Sequence, residues 1–104
     1  MTKKTIMLVC AAGMSTSLLV QKMKNAAQKE NLDVNIFATA ASETDKKVTS
    51  ENPDILMLGP QVRYLEGGFK KKYPFPVVVI DMRAYGTMDG EKVLTTALNL
   101  IDNK

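Results

Sequence analysis

A short apolar run, a stretch of small residues and a helical pattern follow one another at the start of the chain. The apolar run covers residues 6–9, the small and hydroxylic residues cover 10–17, and the helical pattern covers 18–23. This order predicts a strand, a loop and the N-terminus of a helix. Because the first amides of a helix lack partners within it, such a loop can hold an anion. The chain is therefore expected to begin with a βα unit that carries an anion-binding loop.

Cys10, the only cysteine, opens this loop. A lone cysteine is often a small core residue, and that interpretation stays open. Cys10, however, ends a strand, and ligands of open α/β sheets bind beyond the carboxyl ends of strands. Helix and loop amides there favour a thiolate. We interpret Cys10 as a nucleophile for a phosphoryl group whose oxygens would be held by the residues that follow it: Ala11, Ala12, Gly13, Met14, Ser15, Thr16 and Ser17.

Further apolar runs alternate with helical patterns along the chain, at residues 34–38, 55–58 and 77–80. Residues 5–9 are apolar on both faces, as in an inner strand, whereas residues 34–38 partly alternate, as in a strand nearer the sheet edge. Four strands that alternate with helices predict an α/β fold. We expect an open parallel sheet with helices on both of its faces.

The ends of the helices carry recognisable signals. Ser15 or Thr16 is expected to cap the first helix, and Asp89 the last one. The helix after the third strand should be short, broken or bent, because two glycines at positions 67–68 weaken it. Residues 81–87, between the last strand and the final helix, are expected to form a loop.

Composition limits the classes of function. At 104 residues the chain has the size of one domain. Its formal net charge is only +3, and its lysines do not form the basic stripe that is typical of a nucleic-acid-binding protein. One cysteine and no histidine exclude an internal disulfide, a CxxC zinc motif and a Cys–His nucleophile pair. The apolar runs are too short to span a bilayer. We expect a cytoplasmic protein without a metal or another cofactor.

The loop resembles the phosphate-binding loop of low-molecular-weight tyrosine phosphatases, which reads Cys, five residues, Arg and then Ser or Thr. Here Thr16 stands in place of the arginine. An arginine fork clamps phosphate and stabilises the transition state of its hydrolysis. A phosphoryl carrier needs a thiophosphate that survives until its acceptor arrives. The missing arginine therefore favours a transferase over a phosphatase.

Three motifs in order resemble the lactose/cellobiose-type enzyme IIB of the sugar phosphotransferase system. They are the loop at residues 10–17, Leu-Gly-Pro-Gln at 58–61, and Tyr-Gly-x-x-Asp-Gly at 85–90. The resemblance covers essentially the whole chain as a single IIB domain, residues 1–104. It implies the fold of the low-molecular-weight phosphatases with strand order 2-1-3-4, which brings the Cys10 loop beside the change in winding direction.

The resemblance also implies partners and a reaction. Enzyme IIB domains accept phosphate from a histidine of enzyme IIA and pass it to a sugar entering through the membrane protein enzyme IIC, here a β-linked disaccharide such as cellobiose or chitobiose. The chain would dock only transiently at the inner membrane, through enzyme IIC, and would not enter the membrane.

Three residues after the later strands are expected to border the loop. Gln61 and Tyr85 could bond the phosphoryl group, the loop or a partner, or simply lie at the surface. Asp81 could fix a backbone amide or act as a helix cap. The alternative function is a phosphatase or an arsenate-reductase-like enzyme on the same fold. The absent arginine and the absent second cysteine count against it. A non-catalytic binding module with a structural Cys10 is the third hypothesis.

Overall fold

The fold is built on a sheet of short apolar strands that pair in parallel. The computed structural model describes residues 3–11 and 16–102, and within them a four-stranded parallel sheet of order β2-β1-β3-β4. The strands are β1 Lys4–Cys10, β2 Val34–Ala40, β3 Ile55–Leu58 and β4 Val77–Val79. In register, Val9 lies opposite Leu58, and Leu58 lies opposite Val79. The predicted fold class and strand order are confirmed, with β1 inside the sheet and β2 at an edge.

Helices cover both faces of this sheet. The described α-helices are α1 Ser17–Lys29, α2 Thr44–Glu51, α3 Glu66–Lys72, α4 Met82–Gly86 and α5 Gly90–Asp102, and 3₁₀ turns cover Ala41–Glu43 and Pro60–Leu65. No helix in the described part of the chain is long and apolar enough to cross a membrane.

The pleat of β1 divides the core into two clusters. Ile6 and Leu8 pack on the side of α1 and α5, whereas Met7 and Val9 pack on the side of the 3₁₀ turn Pro60–Leu65 and α3. Because side chains alternate along a strand, Cys10 points to the same side as Ile6 and Leu8. The strand therefore directs the thiol toward the layer that contains α1.

The helix after β3 is interrupted, as predicted. It starts as a 3₁₀ turn with Pro60 at its first position, and Val62 departs from helical geometry with φ −118° and ψ 24°. The chain then becomes regular in α3, which contains Gly67 and Gly68. The bend thus comes before the glycine pair rather than at it.

The predicted loop over residues 81–87 is wrong, because most of it forms α4. Asp81 precedes the helix, and its Oδ2 accepts a hydrogen bond of 3.0 Å from the backbone N of Ala84. This carboxylate satisfies an amide that would otherwise lack a partner in the first turn. Ala84 is buried against the α1 and α5 side of the core, which holds the short helix in place.

Candidate functional site

Cys10 is the last residue of β1, and its sulfur meets the start of α1. Thr16 Oγ1 donates a hydrogen bond of 3.3 Å to Cys10 Sγ, and both residues are 0% exposed. Burial by itself disfavours a charge, whereas a hydroxyl donor stabilises charge on the acceptor. The pair therefore gives a buried sulfur a donor that can stabilise its negative charge.

The expected cap role of Thr16 needs correction. Thr16 occupies the N-cap position of α1 with φ −93° and ψ −9°, but its side chain makes no capping hydrogen bond. Its carbonyl oxygen accepts from Val20 N at 2.9 Å, which opens the helix in the usual way. The hydroxyl is committed to the sulfur instead. Ser15, the other expected cap, lies outside the described residues.

Both ends of the predicted anion-binding loop are described. Ala11 follows β1 directly and is exposed, and Ser17 is the first residue of α1. The Cys10–Thr16 contact brings these two ends together across the loop. The remaining predicted phosphate-binding residues lie outside the described part of the chain, so that their role stays a prediction: Ala12, Gly13, Met14 and Ser15.

Backbone hydrogen bonds bring the segments after β3 and β4 to the same end of the sheet. Gly59 N donates to Val9 O at 2.8 Å, and Ile80 N donates to Leu58 O at 2.8 Å. Gly59 therefore lies beside Cys10, and the chain after Ile80 runs next to Gly59. The carboxyl ends of β1, β3 and β4 therefore lie at the end of the sheet that carries the thiol, where ligands of open α/β sheets bind.

Gln61 and Tyr85 converge on Gly59. A Cβ atom on Gly59 would lie 3.2 Å from Gln61 Oε1, 3.5 Å from Val9 O and 3.7 Å from Tyr85 Cε1. Glycine leaves room for these two side chains to rest against the backbone next to Cys10. The structure thus places both predicted neighbours beside the strand end that carries the thiol.

A groove of about 610 Å³ opens next to these residues; it is lined by Pro60, Gln61, Arg63, Tyr64, Met82, Tyr85 and Gly86. The sequence analysis missed Arg63, Tyr64 and Met82. Tyr64 is 75% exposed and Met82 62% exposed, so that both present apolar surface to solvent. Asp81 was the signal that could have found Met82, because an aspartate at this position predicts the start of a helix, and that helix shares the groove with the 3₁₀ turn after β3.

Tyr85 has an unusual hydroxyl. Its Oη is buried and has no hydrogen-bond partner among the residues that the structure describes. Buried hydroxyls in folded proteins nearly always have a partner. Within residues 3–11 and 16–102, the hydroxyl is therefore a donor and acceptor without a partner.

Asp81 does not line the groove. Its carboxylate caps α4 through Ala84 N, and it borders a separate cavity of about 220 Å³ with Ile80 and Lys92. We assign Asp81 a structural role. The structure gives no group of three or more His, Cys, Asp or Glu side chains with metal-binding geometry within residues 3–11 and 16–102.

Shifted pKa values occur on the other face of the sheet. The pKa of Asp45 on α2 is lowered, mainly by a hydrogen bond from Lys72 and to a smaller extent by one from Tyr73. Burial, and then the bond to Asp45, raises the pKa of Tyr73. Tyr73 packs in the cluster that contains Met7 and Val9, opposite the side to which Cys10 points. These shifts concern the packing of α2 on α3.

Comparison with known proteins gives a consistent result. The family described as "PTS system, Lactose/Cellobiose specific IIB subunit" matches residues 5–96. The galactose-specific EIIB component of the Lactococcus lactis subsp. cremoris phosphotransferase system is 46% identical over 108 residues, covering 98% of this chain and 100% of that protein. The cellobiose-specific EIIB component of Lactococcus lactis subsp. lactis has the same identity and coverage.

A solved structure shares the fold along the whole chain. The solution structure of the cellobiose-specific phosphotransferase IIB component from Borrelia burgdorferi aligns with a TM-score of 0.83 at 38% identity. The alignment covers 99% of this chain and 95% of that one.

Proposed function

The chain belongs to the lactose/cellobiose-specific IIB family of the phosphotransferase system, and from this premise we propose that it carries a phosphoryl group on the sulfur of Cys10. The observation that carries the proposal is the buried hydrogen bond from Thr16 to Cys10 at the carboxyl end of β1. A sulfur that only filled space would need no such donor. The overall reaction is the transfer of a phosphoryl group to a sugar.

The first half of the reaction loads the protein. The Cys10 thiolate attacks the phosphorus of a phosphohistidine on enzyme IIA, in line with the leaving nitrogen. The S–P bond forms as the P–N bond breaks, and the electron pair stays on the imidazole nitrogen. Thr16 stabilises the sulfur charge before attack. Backbone amides of residues 11–17, with the hydroxyls of Ser15 and Ser17, bind the three phosphoryl oxygens.

The second half unloads it. A sugar hydroxyl attacks the phosphorus, its proton passes to a base of the acceptor protein or to water, and the S–P bond breaks. The thiolate is regenerated, and Thr16 again donates to it. The cycle consumes no redox equivalent and leaves Cys10 as it began.

Two features support a carrier over the alternative phosphatase. Position 16, where the phosphatase loop has its arginine, holds a fully buried threonine whose hydroxyl is committed to the sulfur. Asp81, the carboxylate nearest the end of β4, is committed to capping α4 and is not free as a leaving-group acid. Among the described residues, water attack on phosphocysteine therefore finds no charge clamp at position 16, and the Asp81 carboxylate is not free to act as a general base toward the water.

The partners follow from the same proposal. The chain works as one IIB unit over residues 1–104, with enzyme IIA as donor and sugar-loaded enzyme IIC as acceptor. It acts in the cytoplasm and reaches the inner membrane only by docking on enzyme IIC. Relatives named for galactose and for cellobiose are equally similar to this chain. As the substrate we propose a sugar of the lactose, cellobiose and chitobiose class, which the family description and the cellobiose-specific relative support.

Mass spectrometry tests the site directly. The protein is incubated with phosphoenolpyruvate and the upstream phosphocarriers, in parallel with a Cys10→Ser variant. Serine is nearly isosteric but a poor nucleophile without an adjacent base. We expect one phosphoryl group on the wild type, mapped to Cys10, and none on the folded variant. A Cys10→Ser protein phosphorylated at a comparable rate would refute the assignment.

A further inference from the structure

We propose that the hydroxyl of Tyr85 binds the phosphoryl group once that group is on Cys10. Tyr85 would then be a phosphoryl-binding residue of the loaded protein, in addition to the loop at residues 10–17. This inference rests on the proposed function and deepens it, since it concerns how the carrier holds its cargo.

The unpaired hydroxyl is the first observation. Tyr85 Oη is buried and, in the described part of the chain, has no hydrogen-bond partner. Burying a hydroxyl without a partner costs stability. A phenylalanine would fill the same space without that cost. The hydroxyl is thus explained best by a partner that is present only in another state of the protein.

Its location is the second observation. Tyr85 Cε1 is the ring carbon next to the carbon that bears the hydroxyl, and it lies 3.7 Å from the Cβ position of Gly59. Gly59 N is bonded to the carbonyl of Val9, the residue before Cys10. The ring edge next to the hydroxyl therefore lies near the strand end where the phosphoryl group would be attached.

The backbone of α4 fixes this orientation. Tyr85 N donates to Asp81 O at 2.9 Å, and Ala84 beside it is buried in the core. Asp81 also caps the helix through its carboxylate. Tyr85 is therefore presented by a short but well-anchored helix.

Charge explains why a phenol would be useful there. No charged residue occurs between Cys10 and Gln21, so that the loop must bind a phosphoryl dianion with neutral donors. Thr16 already donates to the sulfur. A phenolic O–H to a phosphoryl oxygen is a charge-assisted hydrogen bond, which is stronger than a neutral one.

A ligand in the neighbouring groove explains the hydroxyl less well. Tyr85 contributes to the wall of the groove, but its oxygen is buried rather than exposed to it. A sugar or peptide lying in the groove would touch the ring and not the oxygen. Cys10 is also fully buried, so that a group on its sulfur is enclosed as the hydroxyl is.

Tyr85→Phe tests the proposal, with Tyr64→Phe as the matched control. Both variants remove one hydroxyl from a tyrosine that lines the same groove, but Tyr64 is 75% exposed, whereas the Tyr85 oxygen is buried. The measurements are the Tm of each unphosphorylated protein and the equilibrium of phosphoryl transfer between enzyme IIA and the protein. We expect Tyr85→Phe to be at least as stable as the wild type before phosphorylation. Its transfer equilibrium should shift roughly tenfold toward the donor, and Tyr64→Phe should change neither quantity.

Two results would overturn the proposal alone. One is an unphosphorylated Tyr85→Phe protein clearly less stable than the wild type, because the hydroxyl would then have a partner at rest. The other is an unchanged transfer equilibrium while the wild type loads normally on Cys10. A wild-type protein that takes up no phosphoryl group would overturn the proposed function as well, and that failure is visible without any variant.

Discussion

At the scale of single residues, the pairing of Cys10 with Thr16 separates two interpretations of a lone cysteine. Full burial alone fits a core residue as well as a protected nucleophile. The hydroxyl that points at the sulfur from six residues further along the chain fits the second interpretation better, because an apolar thiol environment would need no donor. Thr16, which stands where the phosphatase loop has its arginine, thus directs its hydroxyl to the sulfur of Cys10, the proposed nucleophile.

Replacing Thr16 tests this contact. Thr16→Val keeps the branched shape and removes the donor, whereas Thr16→Ser keeps the donor. A hydrogen bond to a charged group contributes roughly 1.5–3 kcal/mol, so that we expect phosphoryl uptake by Thr16→Val to slow at least about tenfold. The measurement is the rate of uptake from phosphorylated enzyme IIA. A folded Thr16→Val protein that loads as fast as the serine variant would contradict the role assigned to the hydroxyl.

The position of Cys10 was predictable from the sequence, and the partner of Thr16 was not. An apolar run that ends before small residues defines a strand end with little ambiguity. The hydroxyl of a threonine at a helix start, however, has two possible partners. It can accept from a backbone N–H of the first turn, or it can donate to a side chain across the loop. Sequence spacing does not decide between them, and the cap was the wrong choice here.

At the scale of elements, α5 begins in very close contact with α1. A Cβ atom on Gly90 would lie 2.5 Å from Lys22 C and 2.6 Å from both Lys22 Cβ and Met23 N. Two of these are backbone atoms, which cannot rotate away. The absence of a side chain at Gly90 therefore sets how closely α5 approaches the helix whose N-terminus carries Thr16.

Gly90→Ala should consequently destabilise the protein. Overpacking of this kind costs about 1–3 kcal/mol, which lowers the Tm by several degrees or more. Gly67→Ala is the matched control, because no atom lies within 4 Å of a Cβ at that helical position. There, alanine should raise stability by up to about 1 kcal/mol. Thermal unfolding of the two variants would contradict this account if Gly90→Ala were as stable as Gly67→Ala.

The contact of α2 with α3 predicts a pH dependence. Asp45 accepts from Lys72 Nζ at 2.6 Å and from the Tyr73 hydroxyl, and these bonds lower the pKa of its carboxyl from 3.8. When folding lowers the pKa of a carboxyl group, the charged group stabilises the folded protein at pH values above its pKa in the unfolded chain. This stability is lost as the pH falls through the pKa of the folded protein.

Asp45→Asn should therefore have a lower Tm than the wild type near pH 7. The difference should shrink as the pH falls from 3.8 through the lower pKa of the folded protein, since the carboxylate takes up its proton first in the unfolded chain and only then in the folded one. The effect should be modest because the pair is exposed. The control is Asp33→Asn, whose exposed ion pair with Lys3 spans 3.6 Å and should matter less at every pH. A Tm difference for Asp45→Asn that stays constant down to strongly acidic pH would contradict the linkage.

The sequence did not predict α4, the shortest α-helix among the described residues. Helix α4 has five residues and buries only Ala84, so that its sequence offers no repeating apolar pattern to distinguish it from a loop. Strands β1 and β3 and the long helices α1 and α5 carry at least four buried residues each, and they were predicted well. Strand β4 buries only Val77, but its run of β-branched residues still predicted a strand. The groove beside Tyr85 depends on α4, and it was missed together with that helix.

At the scale of the whole molecule, the strand order creates the site. Because β1 pairs in parallel with β3, and β3 with β4, the segments that follow these three strands lie at the same end of the sheet. Residues far apart in sequence, such as Cys10, Gly59 and Tyr85, therefore come together at one end of the sheet. Alternating apolar runs predicted the parallel sheet, whereas the order 2-1-3-4 came from the resemblance of the motifs. Hydrophobic periodicity does not encode the order of strands.

The central claim is that the phosphoryl group on Cys10 is passed to a sugar rather than released to water. The most direct test follows radiolabelled phosphoprotein through a single turnover, with and without membranes that contain enzyme IIC and its sugar. We expect the label to remain on the protein alone and to appear as sugar phosphate when the acceptor is present. Release of inorganic phosphate at the same rate with and without the acceptor would contradict the account.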